Sequence, residues 1–534
     1  MASPSRRQFG IAFSGFLIIL GLLGTLTLQA GAVAPAFYTR AYVEGIVGVP
    51  RDLNPLLQSA NGSASEADLT ALLFDGLTRP GPDGIPRPEL AERWQINPDG
   101  RVYTFTLRSG LRWHDGMPLT TADIAFTVRG VQNPAFTLEA GVEELWRTVK
   151  VEPLDDRRVR FTLPAPFAPF LAATSLPILP AHLLENVPPG EWAEAPFNRR
   201  PVGSGPFRLY SLDDEQAMLV PFEGAARGRP SLDLLVLRFY PSAEAAREAL
   251  RRREIQGLAT VFDVPLVSGT ATVDLPLAAY TMLLFNVRQV PLDDPHLRVA
   301  LAQGLDRSQL VEGMEEGARL LDSLMLPQTP FHGPAALPPF VPDAAEQALD
   351  TLGWRRNGGT SRARGSIPLR LPLVCVNSPT VVAVAHEIAR QFADLGVDVP
   401  VEAVNPAELA SRLARHDFAL AIHSWRLPNG DPDVFGLWHS SQGGSGANYT
   451  GIDDPELDEL LVEGRATSGI GGRAGLYRAA EERWIELLPA VPLYQHILHY
   501  ELDPAVRTAG IEPTALLVRP SDRFRGISAW TTSP

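Results

Sequence analysis

The run from Leu90 to Thr127, LAERWQINPDGRVYTFTLRSGLRWHDGMPLTTADIAFT, constrains this chain more tightly than any other stretch. Pro98-Asp99-Gly100 supplies a tight turn, with a glycine free to take positive φ. Arg101 to Arg108 alternates polar and apolar side chains, the period of a half-buried strand. His114-Asp115-Gly116 turns the chain again, and Thr120 or Thr121 can cap a helix begun by Ala122-Asp123-Ile124. The run therefore predicts a two-stranded ribbon, a second turn and a helix start. No catalytic spacing sits inside it.

Beyond this run, helical patterns alternate with short apolar strands, which predicts an α/β architecture. Ser242–Arg253 reads as a helix with Ala243, Ala246 and Leu250 on one face. Asp294 can cap a helix with Pro295 in its first position, and Leu297, Leu301 and Leu305 then recur at core-facing spacing. Thr380–Leu395 is a further amphipathic helix, and Asp417–Ile422 a buried strand leading to Trp425. A length of 534 residues suits about three domains at roughly 150 residues each. The formal net charge of -14 argues against a nucleic-acid or acidic-membrane surface. A single cysteine, Cys375, excludes an intramolecular disulfide and a thiolate metal cluster, and its apolar surroundings predict burial.

Arg6 and Arg7 precede a charge-free stretch whose apolar heart runs from Ile11 to Leu28. That length is close to the lower limit of about 17–25 residues for a spanning helix and exceeds the usual signal core of about 7–15. The arginines place the N-terminus in the cytoplasm and the rest of the chain outside. Ala30-Gly31-Ala32 can serve as a cleavage site, and Ser5–Phe9 resembles a twin-arginine start. A cleaved signal and an uncleaved anchor both remain open.

Candidate chemistry is sparse. His386-Glu387-Ile388-Ala389-Arg390 misses the zinc-protease helix at its second ligand position, occupied by Arg390. Gly203-Ser204-Gly205 lacks the flanking pattern of a nucleophile elbow and reads as a structural turn. His114 and Asp115 are adjacent, so they point to different sides of a strand. His496 and His499 lie three apart in a strand or loop, a poor metal spacing. No metal ligand set, no cofactor motif and no catalytic residue is expected. The segment His423–Pro432 is the best site candidate: it leaves a buried strand and enters a Pro/Gly-rich loop, where binding residues concentrate. Within it Trp425 offers a flat apolar face, with a core or hinge role equally open, and Arg426 and Asp431 offer charge.

Ordered short motifs then identify a family resemblance. Leu53-Asn54-Pro55, Leu73–Leu77, Pro88–Trp94 with the opening run, Pro201–Phe207, Phe285-Asn286-Val287, Leu297–Ala300 and Asp306-Arg307 occur in sequence. Asp431-Pro432-Asp433, Asn448-Tyr449 and Pro489–Tyr494 complete the set. Together they resemble the family 5 extracellular solute-binding proteins, the peptide, nickel and oligosaccharide receptors of bacterial ABC importers, over about residues 42–500.

The resemblance implies a two-lobed, class II-like periplasmic-binding-protein fold with an inserted subdomain in lobe I. Its expected parts are residues 1–40 as signal or anchor, 41–284 as lobe I with the insertion at about 80–200, 285–490 as lobe II, and 491–534 as the return to lobe I. Hinge crossings are expected near Phe285–Val287 and Leu493–His496. The implied partners are a peptide or other small polar solute, an ABC permease with its ATPase, and the cytoplasmic membrane through the N-terminal segment. The expected receptor is an extracytoplasmic monomer that captures its solute by ligand-stabilised closure. A solute sensor for a signalling receptor is the alternative, and a carboxylate hydrolase has no supporting spacing. Expected ligand-binding residues are Trp425, Arg426, Asp431, Asn286 at the hinge, and Asn54. Peptide-binding relatives carry an Asp three residues after this Trp to clamp the peptide α-ammonium. Here that position is Pro428, which puts free-amino-terminus recognition in doubt and leaves a modified peptide, a sugar or another solute open.

Overall fold

The computed structural model describes residues 40–57, 63–134, 142–260, 266–312, 314, 317–356, 358, 360–427, 430–444 and 446–532. The apolar leader and Pro428 lie outside them.

An 11-stranded mixed sheet runs through the molecule. Its order is Val401–Val404, Leu373–Val376, Leu420–Arg426, Ala271–Phe285, Ala490–Leu502, Gly257–Thr260, Ala41–Val47, Leu234–Tyr240, Gln216–Pro221 and Phe207–Leu212, with Ala318–Leu320 pairing separately on Ala490–Leu502. Helices interleave with these strands, as expected for α/β. The two longest strands, Ala271–Phe285 and Ala490–Leu502, pair antiparallel along almost their whole length.

Two large hydrophobic clusters share those strands. One holds Tyr42 through Ala279 together with Leu498 through Trp530, and the other holds Ala278 through Tyr494 together with Leu516. The clusters are the cores of lobe I and lobe II. Their border cuts the first long strand at Leu277–Ala279, where its pairing with Ala490–Leu502 lapses between Pro276 and Tyr280. The crossing expected at Phe285–Val287 therefore lies earlier, inside the strand, and Phe285 is lobe II core. The strand cannot show this in its own composition, because it is apolar on both sides of the border. The second crossing falls between Tyr494 and Leu498, so Val491, Leu493 and Tyr494 stay with lobe II. A third crossing accompanies them: Leu516 packs in lobe II and Leu517 in lobe I. The Ala278 amide donates to the Leu517 carbonyl at 2.7 Å, and the Leu517 amide donates to Pro276 at 2.8 Å.

The opening run builds a four-stranded antiparallel sheet on lobe I, ordered Ala91–Ile96, Val102–Leu107, Arg158–Thr162, Lys150–Pro153. Tyr103, Phe105 and Leu107 are buried, as their alternation requires. Asn97 Oδ1 accepts the Arg101 and Val102 amides, and Gly100 takes φ 70° to close the turn. Thr120, rather than Thr121, caps the helix Thr121–Val131 and forms a reciprocal box with Asp123. Cys375 is buried in Leu373–Val376.

Candidate functional site

The second turn of the opening run is a structural joint. The Gly203 amide donates to His114 Nδ1 at 3.1 Å, which leaves Nε2–H to donate to the Gly205 carbonyl at 3.1 Å. Burial lowers this imidazole to a pKa of about 4, so it is neutral at physiological pH. Asp115 turns away and meets His182 Nε2 at 2.8 Å. Ser204 Oγ accepts the Asp75 amide. A Cβ at Gly203 would stand 1.8 Å from the Leu73 carbonyl oxygen, so the glycine is there for close backbone approach. His386 shares its helix with Glu387, whose carboxylate pairs with Arg390 at 2.6 Å on an exposed face. His499 binds Asp274 at 2.7 Å, while His496 Nε2 lies 2.9 Å from Thr281 Oγ1.

The lobes face each other across a narrow cleft. Gly84, Ile85, Tyr103, Ala168 and Leu171 line it from lobe I, and Phe331, Asp431, Ile470 and Arg473 from lobe II. Burial pushes the Tyr103 hydroxyl up to about 12, so it stays protonated beside the cleft. The cavity has a volume of about 50 Å³. The Ala168 amide donates to the Arg465 carbonyl at 2.7 Å, and the Arg465 guanidinium lies 5.1 Å from the Phe167 ring and 3.9 Å from the Phe435 ring. Arg465 also binds Asp433 at 2.6 Å, a carboxyl that burial pushes above its ordinary range. These contacts join the two lobes.

Of the expected site residues, Asp431 lines this cavity, and its carboxylate is already committed. Arg473 grips it through both guanidinium ends, at 2.9 and 2.7 Å, with the side chains 10% and 6% exposed. Burial opposes the Arg473 charge, but the Asp431 carboxylate outweighs it and raises the guanidinium pKa. Trp425 is packed inside lobe II against Tyr280, Trp438 and Tyr449, with ring centroids 6.1, 5.7 and 6.4 Å away, and its Nε1 has no partner among the described residues. It is core and offers no open face. Arg426 is exposed at the end of the same strand, beside Ala279 at the crossing. Asn286 lies beyond the crossing rather than at it. It is fully buried, donates to the His416 and Phe418 carbonyls at 2.8 Å each, and accepts the Arg288 amide, so no group is left for a solute. Asn54 is buried in a lobe I loop, where its Oδ1 accepts the Leu56 amide and its Nδ2 is unpartnered among the described residues.

Arg465 and Arg473 escaped the sequence reading. A signal existed for Arg473: with Tyr477, Glu481 and Trp484 it forms the buried stripe of the helix Ile470–Leu487, where an arginine demands an anion. Among the described residues no group of three or more His, Cys, Asp or Glu side chains could hold a metal ion.

A family description, bacterial extracellular solute-binding proteins, family 5 (middle), matches residues 86–447. The chain is similar to the dipeptide-binding protein of Escherichia coli K12, 25% identical over 524 residues, covering 90% of this chain and 95% of that one. It is also similar to the heme-binding protein A of Haemophilus influenzae, 26% identical over 83% of this chain and 84% of that protein. Among solved structures, HbpA2 from Haemophilus parasuis superposes with a TM-score of 0.76 at 21% identity, covering 90% of this chain and 98% of that one. The oligopeptide-binding protein AppA of Bacillus subtilis, solved with a nonapeptide, superposes with a TM-score of 0.68 at 23% identity, covering 93% and 100%. Both likenesses establish the two-lobed fold.

Proposed function

Since the chain belongs to the bacterial extracellular solute-binding proteins of family 5, an extracytoplasmic family of ABC importers, we propose that its solute is peptide-like and is held without a clamp on a free α-ammonium. The observation that carries this reading is the Asp431–Arg473 pair. Pro428 removes the carboxylate that peptide receptors place in this loop, and the neighbouring carboxylate of Asp431 is occupied from within the protein. An ammonium arriving in the cleft would have to displace a bidentate guanidinium, the stronger partner by geometry. The peptide class is supported by the dipeptide- and oligopeptide-binding relatives above, and the loss of the clamp admits amino-blocked peptides equally well. The apolar leader from Ile11 to Leu28 holds or has held the receptor at the outer face of the cytoplasmic membrane, within reach of the permease. Isothermal titration of ligand-stripped protein with matched free and N-acetylated peptide pools tests the proposal. Similar affinities for both pools are expected, with small-angle scattering showing that ligand shifts the protein toward the closed form. A hundredfold preference for the free amino terminus would overturn it.

A further inference from the structure

On the lobe I side, away from the cleft, four guanidiniums and three carboxyl groups line a cavity of about 120 Å³. Its far wall includes Val518 and the hairpin residue Pro80. Glu89 is buried and takes two cations, Arg79 Nε at 2.9 Å and Arg227 Nε at 2.8 Å. Asp522 spends one oxygen on the Val518 and Arg519 amides, both at 2.9 Å, and lies 3.9 Å from Arg525. Asp75 is buried beside Glu89. Burial and then the Glu89 charge raise its pKa well above the ordinary value.

Arg525 is left over. Its side chain is 6% exposed, Nη2 donates to the Leu516 carbonyl at 2.9 Å, and Nε and Nη1 are buried without a partner among the described residues. Burial lowers its pKa, with Asp522, Asp83 and Glu512 opposing and Arg227 acting in the same direction as burial. Arg525 thus brings two unused donor nitrogens to the cavity it lines. Buried guanidinium donors left without a partner are unfavourable unless an acceptor joins them. The guanidinium fork matches the planar or tetrahedral oxygens of a carboxylate or phosphate. The space equals about four water volumes at roughly 30 Å³ each, room for one such group.

We propose that the pocket formed by Arg79, Arg227 and Arg525 is an oxyanion site that binds one carboxylate or phosphate group. The site is separate from the cleft cavity, and its existence does not depend on the peptide-like solute proposed above. The source is a free anion or the acidic end of a larger solute.

Calorimetric titration of full-length, ligand-stripped protein with inorganic phosphate and with acetate, at ionic strength fixed by chloride, tests it. Saturable binding of one anion per chain is expected, at least tenfold weaker in Arg525→Gln and partly restored in Arg525→Lys. Arg227→Gln, at a partly exposed position, should weaken binding in the same way and guards against a folding defect at Arg525. In a second arm, N-acetylated peptides with a free carboxyl terminus compete for the phosphate or acetate heat while their carboxamide forms do not, if the acidic end of a solute fills the site. If a free anion fills it, neither form competes. The absence of saturable binding by either anion, or equal affinity in the wild type and both glutamine variants, would overturn the proposal. Either result leaves the peptide titrations unaffected, so the two readings fail separately.

Discussion

Replacing Asp431 with alanine separates a structural carboxylate from a recognition carboxylate. In the structure Asp431 accepts two hydrogen bonds from Arg473, and both side chains are nearly buried. Removing one partner of a buried pair costs about 3–5 kcal/mol, because the remaining charge stays desolvated. Arg473 keeps the Gly464 carbonyl at 3.0 Å, the Tyr477 hydroxyl at 3.2 Å and the Phe331 and Tyr477 rings, both at 5.3 Å. These neighbours place the loss at the low end, about 3 kcal/mol. A folding unit of lobe II size shifts by about 2–4 °C per kcal/mol, so the lobe II transition should fall by about 6–12 °C. Differential scanning calorimetry of ligand-stripped protein reads this directly. The double variant Asp431→Leu with Arg473→Met should recover most of the loss, since an apolar pair of similar volume replaces a buried ion pair with little penalty. Peptide binding measured below the transition should survive in both. If Asp431→Ala leaves the transition unmoved and abolishes binding, the carboxylate faces the solute and the reasoning from its geometry is wrong.

Two further outcomes follow from buried polar groups in lobe I. Arg523 ties the C-terminal segment to the lobe by binding Asp68 at 2.7 Å through both of its terminal nitrogens and Glu44 at 2.8 Å through Nε. Arg523→Met should destabilise lobe I by about 3–5 kcal/mol and expose the C-terminal segment to limited proteolysis, whereas resistance equal to wild type would deny the tie. The neutral His114 gives a pH signature. Its pKa is about 4 in the folded protein against about 6.5 unfolded, so between those values the unfolded chain binds the extra proton and stability falls as the pH falls. The melting-temperature difference between wild type and His114→Gln should therefore shrink from pH 7 to pH 4.5, and a constant difference would show that the ring is not held neutral.

What the sequence made legible was local. The ribbon, its turn at Gly100 and the cap at Thr120 depend on residues within a few positions of one another, so pattern and propensity specify them. The hinge was not legible in the same way. At Leu277–Ala279 the strand exchanges its pairing with Ala490–Leu502 for the Leu517 segment, and both partners lie over 200 positions away in the chain. The site suffered from the same non-locality. Asp431 looked available for a solute because its loop is polar and Pro/Gly-rich, yet Arg473 fills its coordination from a helix packed behind it. Trp425 was open to two readings, binding surface or core, because a tryptophan serves either. Its fate was set by Tyr280, Trp438 and Tyr449, which arrive from three separate elements. The Arg79, Arg227 and Arg525 pocket likewise draws on segments that no window of sequence contains.

The described residues on either side of Pro428, Leu427 and Gly430, are tied to both lobes. On one side the Leu427 amide donates to the Ala278 carbonyl at the first crossing, at 2.8 Å. On the other, Gly430 takes φ 71° and lies so close to Val518 that a Cβ would stand 2.4 Å from its Cγ2. Gly84 of lobe I approaches the Gly430 carbonyl, and Asp431 is fixed to Arg473 one residue later. A segment anchored at the hinge, at the third crossing and at a lobe II helix moves with the lobes when they close. The cavity walls it adjoins are largely apolar, Tyr103 and Ile85 from one lobe and Phe331 and Ile470 from the other. The charges beside them, Asp431 and Arg473, are paired with each other.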